Sequence, residues 1–426
     1  MSLLIILVFL GIALLGMPLA FALGAAAVAG LIASDVDFNL LPTRMMNAVN
    51  AFPLMSIPFF ILAGELMLKA GMMERIIDLA NAVVGRVRGG LAHVTMLAGL
   101  GLSTVSGAAV ADASALGSTL IPSLRKVYGV GFSAAVVAAA ANLGPIIPPS
   151  GAMIVYAFMA GPTVSVGGLV MAGVVPGLIL VVLMMAACSI IAIRRNYPLT
   201  GDRFSLLKIF HELKRSVIIF LMPVVIIGGI IGGAFTATEG SAIAVVYALA
   251  VGFFVTRRLR LADLPEAMVR TAITSAVVGA MIAFASVVTY MLTLDLLPQK
   301  LSDLIQSITS SPIAYMLLVA ALLFVVGMFL ESNAAYIMLV PLLHPIALKF
   351  GIDPLLFGFL FVFNLVIGML TPPVGVVLFV LCGLTGMKLG ELTRHVLPFI
   401  LIMYGLLFVC MFYPPLVLTV PRMLGY

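Results

Sequence analysis

Apolar residues occupy this chain in long runs separated by short polar segments, a pattern typical of helices that cross a membrane. Two of the runs, 91–122 and 312–342, carry small or polar residues at their middle. Each of these two predicts either one span or two half-length helices folded back as a hairpin. The other runs predict nine crossings, with approximate boundaries 3–31, 53–70, 127–160, 166–193, 216–235, 240–256, 271–291, 355–385 and 396–420.

Double prolines interrupt two of these crossings. The first interruption lies in Asn142-Leu-Gly-Pro-Ile-Ile-Pro-Pro-Ser-Gly151, and the second in Asn364-Leu-Val-Ile-Gly-Met-Leu-Thr-Pro-Pro-Val-Gly375. Proline removes a backbone donor and breaks a helix, and the freed carbonyls are tolerated at membrane depth only where they line a cavity or bind something. Two such breaks predict a pair of broken helices around a binding site, as in secondary transporters.

The basic residues decide whether 91–122 crosses the membrane. Lys and Arg concentrate on the cytoplasmic side of bacterial membrane proteins, so the basic segments 194–215 and 257–270 are predicted to be cytoplasmic. Counting spans back from them puts Arg125 on that side, and Arg86 joins it only if 91–122 returns to its starting side. We therefore predict a re-entrant hairpin at 91–122.

The same counting puts 292–311 in the periplasm, so the hairpin at 312–342 enters from the opposite side. This topology predicts a cytoplasmic N-terminus and a periplasmic C-terminus in a bacterial inner-membrane protein. All but four of the 22 Lys and Arg residues then lie inside, and the exceptions are Arg44, Lys300, Lys349 and Arg422.

The two hairpins and broken helices form an inverted repeat. In both halves an acid, a glycine, an asparagine, the double proline and a later proline follow one another in the same order. Inverted repeats place a substrate site near the midplane and let one unit move against the rest. The predicted fold is an all-α, inverted-repeat, elevator-type transporter. Its divisions are 1–90 (scaffold spans and an interfacial amphipathic helix), 91–193 (first transport repeat), 194–311 (cytoplasmic loop and scaffold spans) and 312–420 (second transport repeat).

Composition agrees with this class, since 63% of the residues are hydrophobic and only 9% are charged. Such a chain cannot cover a water-soluble surface, and lipid bilayer is its expected surrounding. No Walker-type phosphate loop is present, which argues against ATP as a direct energy source, and nothing indicates nucleic-acid binding. The three cysteines and four histidines show no metal-ligand spacing. We expect no cofactor and no metal except sodium as a coupling ion.

Oxygen-rich segments at the hairpins and breaks are candidate sodium sites, because hard cations prefer oxygen ligands. The alternative is that their small residues only allow close helix packing. In the first half the candidates are Ser103, Ser106, Gly107, Asn142, Gly144 and Pro145. In the second half they are Gly327, Ser332, Asn333, Gly368 and Thr371.

The half-helices after each break point positive dipole ends toward the predicted cavity, which favours an anionic substrate. Candidate substrate-binding residues are Thr104, Pro149, Ser150, Asn333 and Pro373. For Ser150 and Thr371 the alternative is N-capping of the half-helices. The repeat-matched acids Asp112 and Glu331 either lie on an ion path or brace the hairpins, since intramembrane carboxylates are costly unless paired or neutralised.

The sequence resembles the large membrane subunit of tripartite ATP-independent periplasmic (TRAP) transporters, of the DctM type, over essentially its whole length. The resemblance rests on Gly107-Ala-Ala-Val-Ala-Asp-Ala-Ser-Ala-Leu-Gly117, on the first double-proline motif, and on Asn364 with Thr371-Pro-Pro-Val-Gly375. It implies an elevator-type, sodium-driven importer of small organic anions such as C4-dicarboxylates or sialic acid. It also implies a periplasmic substrate-binding protein and a small four-span subunit, which we expect to be a separate chain.

Two alternatives remain. A self-sufficient elevator symporter of the divalent-anion type shares the paired hairpins and broken helices, and a requirement for a binding protein would separate the two. An intramembrane aspartyl protease using Asp112 and Glu331 is a remote alternative, because the sequence lacks the Tyr-Asp and Gly-x-Gly-Asp motifs of such enzymes. We therefore expect a transporter and not an enzyme.

Overall fold

The computed structural model describes residues 1–34, 36–84, 87–199, 205–330 and 332–426. These residues form an all-helical fold, as predicted, and seven of the helices are long and apolar enough to cross a membrane. Two residues used in the sequence predictions, Arg86 and Glu331, lie outside the described residues.

The N-terminal part differs from the prediction. Residues 3–31 were expected to form one span, but the structure divides them into two antiparallel helices. Gly30 near the end of the second helix packs against Ile5 at the start of the first, so closely that a Cβ on Gly30 would lie 2.8 Å from Ile5 Cδ1. The helices of this part are α1 (Ser2–Leu14), α2 (Leu19–Ser34), α3 (Leu40–Val49), α4 (Ser56–Lys69) and α5 (Met72–Val84).

The amphipathic helix expected within 72–90 is present as α5. It is bent by 69° from α4, and its apolar face is buried while Glu74 is exposed. An amphipathic helix turned away from a spanning helix fits a position along the membrane surface.

The first repeat contains a helical hairpin followed by a broken helix. Helix α7 (Ala109–Ala141) contains both the second arm of the hairpin and the start of the broken helix. The two parts are separated by a kink at Gly129, where φ is +74° and ψ is 168°. A residue with a side chain rarely adopts this conformation. The elements are α6 (Gly90–Ser106), α7 (Ala109–Ala141), α8 (Gly151–Ala160), α9 (Val166–Ala172) and α10 (Val174–Arg194).

Both ends of the first hairpin lie together. Arg88, just before α6, forms a β-bridge with Leu199. At the other end, the Tyr197 hydroxyl donates a hydrogen bond to the Tyr128 carbonyl oxygen over 3.1 Å. The chain therefore enters and leaves this hairpin at one end of the molecule.

The middle of the chain joins the two repeats. Two of its helices begin at capping side chains, Ser205 and Thr236. The Thr236 hydroxyl accepts from the Glu239 amide, while the Glu239 carboxylate accepts from the Thr236 amide. The elements are α11 (Leu206–Ile231), α12 (Ala237–Ala250), α13 (Leu264–Leu294) and α14 (Leu297–Ile308), with a π-helical turn at Val251–Val255.

The second repeat follows the same order as the first. Its hairpin is antiparallel, because the Tyr315 hydroxyl in the first arm donates to the Leu343 carbonyl in the second over 2.7 Å. The elements are α15 (Pro312–Phe329), α16 (Ser332–Lys349), α17 (Pro354–Gly368), α18 (Val376–Thr385), α19 (Leu389–Phe412) and α20 (Pro415–Met423).

The N-terminus lies at the end of the molecule that carries α14. The Met1 amino group is 3.6 Å from a carboxylate oxygen of Asp295, and hydrogen bonds from Ser2 hold the pKa of Asp295 well below its usual range. Because α1 and α2 double back, the predicted cytoplasmic N-terminus and periplasmic 292–311 segment are incompatible. Met1 and Asp295 lie at the same end, so a periplasmic 292–311 segment would place the N-terminus in the periplasm as well.

Candidate functional site

A cavity of about 270 Å³ lies in the middle of the molecule, where the two hairpin tips meet the first helix break. Ser106 and Gly107 line it from the first hairpin, Ser332 and Asn333 from the second, and Pro145 from the break. Helices α4 and α13 close the remaining side. The cavity therefore lies between the repeat elements and the helices outside them.

The tip of the first hairpin is fitted closely to the break. Helix α6 ends at Gly107, whose φ of +61° reverses the chain into α7. A Cβ on Gly107 would lie 2.7 Å from the Pro149 carbonyl oxygen, so only glycine fits. Tip and break thus form one continuous wall of the cavity.

Asp112, in the first turn of α7, is fully buried directly behind this wall. One of its carboxyl oxygens accepts a hydrogen bond from the Ser106 hydroxyl. The other, Oδ2, has no partner among the described residues and faces Gly144, where a Cβ would come within 2.6 Å of it. A buried acceptor without a partner costs about 1–3 kcal/mol, so this oxygen is suited to a bound cation or proton.

The two motif asparagines are both buried but make different contacts. The Asn142 side chain donates to the Val366 carbonyl oxygen over 2.8 Å, which links the two broken helices. The Asn364 side chain donates to the Ala320 carbonyl oxygen over 2.9 Å, which links its helix to its own hairpin. The Oδ1 oxygens of both asparagines lack a described partner.

The second hairpin meets its broken helix at a glycine crossing. Gly327 and Gly368 lie so close that a Cβ on Gly368 would be 2.6 Å from the Gly327 Cα. Beside this crossing, the Val374 amide donates to the Met328 carbonyl oxygen over 3.0 Å. The Ser332 hydroxyl, in contrast, has no partner among the described residues, although it lines the cavity.

Ten of the predicted site residues that the structure describes do not line the cavity. Five have been placed above: Asp112, Asn142, Gly144, Gly327 and Gly368. The other five are Ser103, Thr104, Ser150, Thr371 and Pro373. The hydroxyls of Ser103, Thr104 and Thr371 donate to carbonyl oxygens one turn earlier in their own helices. Ser150 caps α8, because its hydroxyl oxygen accepts from the Met153 amide, as the alternative reading predicted. Pro373 is exposed outside the cavity.

The sequence reading missed the wall that faces the repeats. Ile57 and Phe60 on α4 and Thr274 and Val278 on α13 belong to that wall. Tyr336 on α16, within the second repeat, also lines the cavity and was not predicted. The double-proline and repeat patterns do not extend to α4 and α13, so no motif identified these positions. Among the described cavity-lining residues of α4 and α13, Thr274 is the one with a polar side chain.

The described cavity wall carries no charged side chain. The start of α7, where Ala109 and Val110 line the cavity, presents the positive end of a helix dipole instead. In the described part of the chain, no three His, Cys, Asp or Glu side chains are grouped as a metal site. The arrangement suits a small anion held by hydroxyls, amides and a helix terminus.

Comparison with known proteins identifies the family. The DctM component of tripartite ATP-independent periplasmic transporters matches residues 5–416. The sialic acid TRAP transporter large permease protein SiaM of Vibrio cholerae is 37% identical over 98% of both chains. The isethionate TRAP transporter permease protein DctMQ of Oleidesulfovibrio alaskensis is 36% identical over 94% of this chain and 63% of its own length.

The fold also has a solved counterpart. The crystal structure of the Alcanivorax borkumensis YdaH transporter covers 96% of this chain and 98% of its own, with a TM-score of 0.61 and 16% identity. At that identity the likeness shows the fold alone.

The relatives are transporter permeases, which leaves the protease alternative without support. Both the family match and the identities extend over nearly the whole length, so this chain belongs to the DctM family of large TRAP transporter permeases.

Proposed function

We propose that this chain imports a small organic anion by sodium-coupled elevator transport, as the large permease of a tripartite system. The observation that supports this most directly is the cavity between the two hairpin tips and the helices α4 and α13. One wall belongs to the repeats and the other does not. A substrate held there changes sides if the repeats slide against the fixed wall with the hairpin tips as gates.

Sodium coupling is proposed from three buried oxygens in the first hairpin and the two broken helices. Asp112 Oδ2, Asn142 Oδ1 and Asn364 Oδ1 have no partner among the described residues, and oxygen ligands are those that hard cations prefer. Asp112 and Asn142 flank the first break, and Asn364 lies in the matching helix of the second repeat. We propose one sodium ion at each break, so that ion binding fixes the hairpin tips around the substrate.

The substrate class is proposed from the cavity chemistry and from the relatives. Sialic acid and isethionate, named for two relatives, are both hydroxylated organic anions. Ser332 and Thr274 line the cavity, and the start of α7 offers backbone amides. We propose a carboxylate or acid sugar, such as sialic acid or a C4-dicarboxylate, with the anion toward α7.

Two partners are proposed from the family description. A tripartite periplasmic transporter needs a binding protein and a second membrane component. The match with this chain covers 63% of the DctMQ relative, which therefore contains a further segment. We propose that a small four-span subunit works with this chain as that second membrane component.

Uptake into vesicles tests the sodium assignment. Vesicles with this chain, its small partner and loaded binding protein should take up labelled sialic acid or succinate with a sodium gradient, and not with potassium alone. Asn142→Ala should raise the sodium concentration for half-maximal uptake about tenfold, because one oxygen ligand is lost. The exposed Asn47→Ala on α3 is the control and should behave as wild type. Equal uptake in potassium would contradict sodium coupling.

The binding protein tests the tripartite assignment against the self-sufficient symporter. At micromolar substrate, vesicles containing this chain and the small partner should transport little until loaded binding protein is added. Full sodium-driven uptake by this chain alone would favour the symporter, with the fold unchanged.

A further inference from the structure

A second pocket, of about 140 Å³, lies well apart from the transport cavity. It is formed where the last turn of α10 meets the first turns of α19 and the second part of α7, and it shares no lining residue with the central cavity. By the distribution of basic residues this is the cytoplasmic end of the protein.

The pocket is strongly basic. Arg194, Arg195, Arg394 and His395 line it, and none of the three arginines pairs with a carboxylate among the described residues. Arg195 donates only to the Tyr197 hydroxyl, over 3.3 Å. Three guanidinium groups held around one small space repel one another unless an anion lies between them. Their planar donors match the oxygens of a phosphate group.

The floor of the pocket is apolar and continues onto a lipid-facing surface. Phe132, Ile191 and Pro398 line the floor. Along α19, Leu397 and Leu401 follow Arg394 at helical spacing on the same face, and both are exposed. A basic end that continues into an exposed apolar stripe matches a phospholipid, with its phosphate on the arginines and an acyl chain along the helix.

We propose that this pocket binds the phosphate of an anionic phospholipid from the cytoplasmic leaflet. Basic pockets between transmembrane helices on that side are known to bind anionic headgroups. Helices α7 and α10 belong to the first repeat and α19 to the second, so one lipid joins the two repeats at their cytoplasmic ends. Free phosphate offers the same charge but leaves the apolar stripe on α19 uncovered.

Native mass spectrometry of the full chain, titrated with phosphatidylglycerol in detergent, tests this proposal. The wild type should retain one lipid that binds more tightly than the others, and phosphatidylcholine should not replace it. Arg194→Gln with Arg394→Gln should weaken that binding about tenfold or more. Each basic residue near an anionic headgroup strengthens binding severalfold, and the double variant loses two of them. Lys214→Gln with Arg260→Gln removes two exposed basic residues elsewhere and should leave it unchanged.

Three outcomes would overturn the proposal. These are equal lipid binding by the pocket variant and the wild type, equal retention of phosphatidylcholine, and displacement of the lipid by millimolar inorganic phosphate. The last would mean that the pocket recognises free phosphate. If the double variant does not fold, Arg394→Gln alone serves, with a severalfold weakening expected. Phosphatidylglycerol should also raise the unfolding temperature of the wild type and of the control but not of the pocket variant.

Discussion

The two repeats of this transporter share a plan but not their contacts. Each has a hairpin whose first arm runs beside its own broken helix, with a glycine at the closest approach: Gly99 against Ala140 in the first and Gly327 against Gly368 in the second. Each break also contains a cis proline pair, at Pro148-Pro149 and Pro372-Pro373.

The cavity is nevertheless asymmetric. The first break contributes Pro145, Pro149 and Gly151 to its wall, whereas the second break contributes only Met369. Asn142 reaches across to the second broken helix, while Asn364 bonds within its own repeat. The comparison indicates that the first repeat reaches the cavity with both its hairpin tip and its break, whereas the second reaches it mainly with its hairpin. An inverted repeat therefore predicts the positions of equivalent residues, but not their partners.

All-or-none labelling tests the inversion itself. Single cysteines at Arg88 and Arg125, at the two ends of the first hairpin, should label only from the cytoplasm, and one at Lys300 only from the periplasm. These three side chains are exposed. Because Met1 lies beside Asp295, an N-terminal tag should be reached from the periplasm. Opposite labelling of 88 and 125 would make the first hairpin a true span.

The glycine crossings should differ in their tolerance of a methyl group. In Gly368→Ala the new Cβ would meet three Gly327 backbone atoms within 2.8 Å, and backbone cannot move aside easily. We expect a loss of about 2–3 kcal/mol, typical of overpacking, and a loss of uptake. Gly99→Ala should cost somewhat less, because its three nearest contacts, all with Ala140, are slightly longer at 2.7, 2.8 and 3.0 Å.

Gly383→Ala on α18 is the control, since nothing lies within 4 Å of its Cβ. Thermal unfolding in detergent should rank the variants with Gly368→Ala lowest and Gly383→Ala at or above wild type. Equal unfolding temperatures for all three would show that these crossings are not tight.

The asparagines should also be unequal. Val366 lies near the end of α17, where helix carbonyls lose their regular amide donors. Among the described residues, its carbonyl oxygen accepts from the Met369 amide, three residues later, and from the Asn142 side chain. Ala320 lies within α15, where its carbonyl has a helical partner. Asn142→Ala should therefore cost about 1–3 kcal/mol, and Asn364→Ala about 1 kcal/mol or less. The reverse order in thermal unfolding would contradict the proposed link between repeats.

The smallest difference is expected at the hairpin tips. Ser106→Ala removes the only described hydrogen bond to Asp112 and should lower both stability and sodium affinity. Ser332→Ala removes a hydroxyl without a described partner and should leave stability within about 0.5 kcal/mol of wild type. If it acts on transport, it should raise the KM for substrate. Equal destabilisation by the two changes would remove this distinction.

Much of the architecture could be predicted from local features of the sequence. Apolar runs predict helices because hydrocarbon leaves backbone groups no other partner, and proline pairs predict breaks because they lack amide donors. The basic residues predicted that the first hairpin returns to its starting side, and the structure places Arg88 and Tyr128 together beside 197–199. These features depend on a few consecutive residues and on whether lipid or water surrounds them.

The remaining features depended on packing between distant parts of the chain. Gly16 and Pro18 are compatible with a kink or a reversal, and the close fit of Gly30 against Ile5 accompanies the reversal. Thr274 became a cavity residue because α13 packs against the repeats, and Asn142 acquired Val366 as its acceptor from 224 positions away. The sequence determined which segments are helical and where they break. The tertiary structure decided which polar atoms meet, because such contacts depend on side-chain fit across helices rather than on spacing along the chain.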